Sequence, residues 1–118
     1  MMTFQNGVHA GMGVSVGPDD NVYLAGSFQL TIDFGGGPFT YTGGGGDTDI
    51  FVASFTNDGK HRWSRPFGGQ SGETGWEIAP TASGQAFIVG RSLNPLDFGT
   101  GALTNAGEDD VYVVRLDP

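Results

Sequence analysis

Along most of the chain, apolar residues alternate with polar ones or gather in short runs. Val-Tyr-Leu-Ala-Gly-Ser-Phe at 22–28 and Asp-Ile-Phe-Val-Ala-Ser-Phe at 49–55 are rich in β-branched and aromatic residues, which pack well on a pleated, half-buried surface. Turn chemistry bounds them: Gly-Pro-Asp-Asp-Asn at 17–21 and Thr-Asn-Asp-Gly-Lys at 56–60. An Asp-Gly pair between two such runs is a strong hairpin signal. Nothing has the 3.6-residue period of a helix. The pattern predicts antiparallel strands at 12–16, 22–28, 50–55 and 60–67, and again at 76–79, 86–91 and 111–116. Within the Gly-rich stretch 31–46, Ile32-Asp33-Phe34 and Phe39-Thr40-Tyr41 can pair as a small extra hairpin.

Comparing the chain with itself explains the second series. Asn21 to Ser27 matches a stretch beginning at Gln85, with Gly26 answering Gly90. Asp33-Phe34-Gly35 matches Asp97-Phe98-Gly99, and 46–55 matches 107–116 with the offset shortened inside the Gly-rich loop. In the worn N-terminal copy of 64–78, Phe4 answers Phe67 and Gly13 answers Trp76. A fixed period of this kind is the mark of a repeat architecture. The expected division is 1–10 as the end of an outer strand completing another unit, 11–69 as a first four-stranded unit, and 70–118 as a second lacking its outer strand.

The repeated features are a strand ending in Ala25-Gly26-Ser27, then Asp-Phe-Gly, then Asp49 leading Ile-Phe-Val-Ala, then Asp58-Gly59, Trp63 and Phe67-Gly68-Gly69. In this the chain resembles the bacterial seven-bladed β-propeller repeat proteins, and the likeness spans nearly its whole length. The second copy departs at 91–95 and stops before its own Asp-Gly and Trp. The resemblance implies an all-β fold of two propeller blades, display outside the cell or at its surface, and Trp63 as a residue packed between blades. Because a propeller closes by radial repetition of blades, two blades imply further ones. They could come from copies of the same chain, three or four joined head to tail in a ring, or from a longer array.

The 22 glycines lack a collagen-like triplet and fit many tight turns, and 37% hydrophobic content with nine Phe can supply a core. Thirteen acidic against five basic residues give a net charge of −8, which repels phosphate backbones and anionic lipid. Nucleic acid and membrane are therefore not expected partners, and no apolar run is long enough to span a bilayer. The opening residues lack the basic and apolar regions of a signal peptide. There is no cysteine, which excludes disulfides, a thiol nucleophile and Cys-ligated zinc.

Candidate chemistry is sparse. Gly13-Val14-Ser15-Val16-Gly17 fits the G-x-S-x-G pattern, but a nucleophile elbow needs a strand-to-helix turn. Asp-Phe-Gly stands without the other kinase elements, and His9 and His61 have no second histidine at metal-ligand spacing. Asp47 and Asp49, with Glu108 and Asp110, place oxygen ligands at the start of the third strand of each copy, where Ca²⁺ is the fitting cation. The competing role is turn capping, which Asp performs by bonding nearby backbone. Trp76 beside Glu77, on the inner strand, is the candidate for stacking against a glycan, with packing between units as the alternative. No catalytic residues are assigned and no cofactor is expected beyond calcium. The reading is a non-catalytic binding or scaffolding module for a glycan or protein. Its alternatives are a fragment of a larger quinoprotein- or glycosidase-like propeller enzyme and a structural spacer.

Overall fold

A computed structural model describes residues 9–40, 48–68, 73–92, 96–97, 102–103 and 110–117. Side chains are described for 13–40, 48–68, 77–92 and 111–117. The fold is all-β and antiparallel. A first sheet has the order β1 (His9–Val16), β2 (Val22–Phe28), β5 (Asp49–Phe55), β6 (His61–Phe67). A second has the order β7 (Glu73–Pro80), β8 (Ala86–Ser92), β11 (Asp110–Leu116). Two short pairs, β3 (Thr31–Asp33) with β4 (Pro38–Thr40) and β9 (Leu96–Asp97) with β10 (Ala102–Leu103), branch from the connections β2–β5 and β8–β11. The Gly-rich stretch thus does fold back on itself, with Ile32 opposite Phe39. Of the segment 1–10 expected to end an outer strand, 1–8 lie outside the described residues and His9 and Ala10 open β1.

Three connections are the same three-residue hairpin loop. Thr56 N donates to Lys60 O and Gly59 N to Thr56 O; Thr81 N to Gln85 O and Gly84 N to Thr81 O; Gly17 N to Asn21 O and Asp20 N to Gly17 O. In each the last loop residue takes positive φ: 93° at Gly59, 82° at Gly84 and 61° at Asp20. This is a turn followed by a left-handed residue, a conformation glycine adopts without steric cost.

The registers of the two sheets match place for place. Gly26 lies between Gly11 and Phe51, and Gly90 between Gly75 and Tyr112. The first strand of each sheet carries a bulge at the same point, at Met12 between Gly11 and Gly13 and at Trp76 between Gly75 and Glu77. Met12, not Gly13, therefore holds the place of Trp76. The extra residue of a bulge has no partner across the ladder, so no alternation in sequence marks it.

The sheets stack face to face. The front of the first sheet, with Tyr23, Ala25, Ile50 and Val52, packs on the back of the second, with Ile78, Ala86, Ile88, Tyr112 and Leu116, in one buried cluster. A second cluster lies on the back of the first sheet, where Ile32 and Phe34 close over Phe28, Phe51, Ala53 and Phe55. The Phe34 and Phe51 rings are 4.7 Å apart between centroids. Every residue of β5 is buried because it has a core on each side.

The Asp-Phe-Gly motif builds that second cluster. Asp33 Oδ1 accepts hydrogen bonds from Gly35 N at 2.7 Å and Gly37 N at 3.1 Å, the capping use of a short acidic side chain. Phe34 points into the core, and Gly35, at φ 110°, lies against the His61 ring.

Candidate functional site

At one end of the seam between the sheets is a cleft of about 450 Å³ lined by Arg62, Trp63, Ser83, Gly84, Gln85 and Asp117. Arg62 and Trp63 come from β6, Ser83 to Gln85 from the β7–β8 turn, and Asp117 from the residue after β11. Neighbours on a regular strand point to opposite faces. Here Ser54 pairs with Trp63 but Phe55 with His61, so Arg62 is the inserted residue of a bulge. A bulge re-aims a side chain, and Arg62 joins Trp63 on the front.

Both side chains are fixed by what surrounds them. Half-buried Trp63 packs against the inter-sheet cluster and meets the Tyr23 ring edge-on, centroids 6.2 Å apart. Arg62 Nη1 donates to Ser54 Oγ at 2.8 Å and to the Tyr23 hydroxyl at 3.3 Å, and the guanidinium lies 5.9 Å from the Tyr23 ring centre. Asp19 Oδ2 is 3.9 Å from the same nitrogen and accepts from Tyr23 at 3.2 Å. Hydrogen bonds from Asn21, its side-chain amide first, hold the Asp19 carboxyl below its ordinary value near 3.8. Across the cleft, Gln85 Nε2 donates to Asp117 Oδ1, and Arg115 stands 3.7 Å from the other carboxylate oxygen. The charges are thus paired locally. The walls present one indole, a guanidinium edge, a hydroxyl, an amide and a carboxylate, which suits an uncharged ligand rich in hydroxyls.

Of the residues expected from sequence, Glu77 and Asp49 lie away from this cleft. Trp76 is the bulge residue of β7, and its side chain is outside the described set. Glu77 is exposed in mid-strand and accepts from Ile78 N at 3.3 Å. Asp49 is buried at the first position of β5, opposite Phe28, with its carboxylate where a Gly68 Cβ would stand. Asp110 pairs with Ser92 through the backbone, and Asp47 and Glu108 lie outside the described residues. Among the described residues no three His, Asp or Glu are grouped to share a metal ion, and no helix is long and apolar enough to cross a membrane.

The resemblance implies Trp63 as a packing position, and its side chain packs against the inter-sheet cluster. Its second role as a cleft wall depends on the bulge at Arg62, which leaves no periodic trace. No protein-family model matches the chain, and comparison with curated proteins finds no significant match.

Proposed function

We propose that the chain is a pair of β-propeller blades serving, outside the cell, as a non-catalytic binding and scaffolding module whose ligand is a glycan held in the cleft at Trp63. The observation that carries the glycan reading is an indole and a guanidinium on the same side of β6, facing amide, hydroxyl and carboxylate groups of the second sheet. A sugar ring has apolar C–H faces for the indole and hydroxyls for the polar wall. The propeller reading is supported by the sequence resemblance together with two sheets of matching order and register stacked front to back. In it, the partners are further blades, from copies of this chain or from a longer one.

The test is a glycan array followed by titration of a captured oligosaccharide, read by tryptophan fluorescence. Replacing Trp63 by Ala is expected to weaken binding at least about tenfold, since an aromatic contact of this kind contributes one to a few kcal/mol. Trp76→Ala is expected to leave the affinity unchanged. Loss of binding in Trp76→Ala with full binding in Trp63→Ala would move the site to the inner strand.

A further inference from the structure

Five of the six large apolar side chains exposed among the described residues fall into two patches: Val14 and Val16, each 64% exposed, and Phe87, Val111 and Val113, at 43%, 65% and 69%. The patches are the two halves of an interface the chain already makes once. Val14, opposite Leu24, holds on the back of the first sheet the place that Ile78, opposite Ile88, holds in the second. Ile78 is 2% exposed because the front of the first sheet covers it. Phe87, Val111 and Val113 hold on the front of the second sheet the places of Tyr23, Ile50 and Val52, each 0% exposed beneath the second sheet.

We propose that the back of the first sheet of one copy docks on the front of the second sheet of another copy, with β1 and β2 taking the places that β7 and β8 hold in the packing within a chain. The inference rests on the repeated-blade reading above and names the partner it leaves open. The contact is heterologous: each copy offers Val14 and Val16 at one end and accepts at Phe87, Val111 and Val113 at the other, so association propagates to a ring or a filament. The Phe34 hairpin already covers β5 on the back, which confines the docking strip to β1 and β2, with Val22 and Leu24 beside the two exposed valines. In the acceptor Phe87, Val89 and Val111 keep apolar side chains in the places of Tyr23, Ala25 and Ile50, while Arg91 and Arg115 stand in the positions of Ser27 and Ser54 and exposed Glu77 in that of Gly13. The apolar seat therefore runs along Phe87, Val89, Val111 and Val113, with the two arginines at its margin.

The experiment is solution mass by light scattering over a wide concentration range, for the wild type, Val14→Lys, Val113→Lys and their equimolar mixture. The wild type is expected to rise above 12.3 kDa with concentration. Each variant alone is expected to stay monomeric, since it lacks one half of the contact. The mixture is expected to stop at two chains, because the live back of Val113→Lys fits the live front of Val14→Lys. Val113→Thr, which keeps the strand-forming shape, is expected to weaken association about tenfold and serves if a lysine variant fails to fold. A wild type that stays monomeric throughout overturns the proposal, as does a Val14→Lys chain that still self-associates or a mixture without a complex. Glycan binding at Trp63, measured on the monomer, judges the binding-module reading independently of these outcomes.

Discussion

Asp20 shows what a single residue's backbone costs. It closes the Gly17–Asn21 loop at φ 61°, where the matching loops use Gly59 and Gly84. A left-handed conformation costs a residue with a Cβ on the order of 1 kcal/mol, less for Asp than for most. Its neighbour Asp19 accepts the loop's side-chain hydrogen bonds from Asn21 and Tyr23, so Asp20 can change without disturbing them. Asp20→Gly is expected to stabilise the fold by about 0.5 kcal/mol, seen as a higher urea midpoint at unchanged slope. A lower midpoint would mean that the Asp20 side chain contributes something the loop geometry does not account for.

At the scale of the element, the Phe34 hairpin is a lid that turns half of the first sheet's back into core. Phe34 is 3% exposed and contacts the Phe39, Phe51 and Phe55 rings. Replacing a buried phenylalanine by alanine costs about 3–5 kcal/mol through lost transfer energy and the cavity left behind. Phe34→Ala is expected to fall near the lower figure, because the short hairpin can lift rather than hold an empty space. Calorimetry reads the loss, and dye binding to newly exposed Phe51 and Phe55 reads the lifting. Most strands were legible because apolar runs bounded by Asp-Gly or Pro-Asp announce them. Strand starts were less so: β1 begins at His9 and β7 at Glu73, earlier than alternation indicated, since His-Ala-Gly and Glu-Thr-Gly carry no apolar alternation from which a strand could be read. Bulges at Met12, Arg62 and Trp76 were not legible. A bulge residue has no partner across the ladder and so no periodic mark in sequence, and with the bulge at Arg62 went the cleft that Arg62 and Trp63 share.

The whole molecule sets two copies of one surface in opposite environments, and a matched pair of substitutions exploits this. Val52 and Val113 have the same side chain and the same place in their sheets, yet Val52 is 0% exposed and Val113 69%. Val52→Ala removes buried methyl groups between the sheets and is expected to cost about 2 kcal/mol at any protein concentration. Val113→Ala removes the same atoms from a surface already in water, and in dilute solution is expected to change stability by less than about 0.5 kcal/mol. Raising the concentration separates the two further. Docking that buries Val113 stabilises the folded chain by mass action, so the wild-type melting temperature rises with concentration, Val52→Ala follows it in parallel from a lower start, and Val113→Ala rises less. Equal costs at low concentration would mean that Val113 is already covered within the single chain. Parallel curves for all three would mean that the front of the second sheet takes no part in association, and that its valines are strand formers facing water.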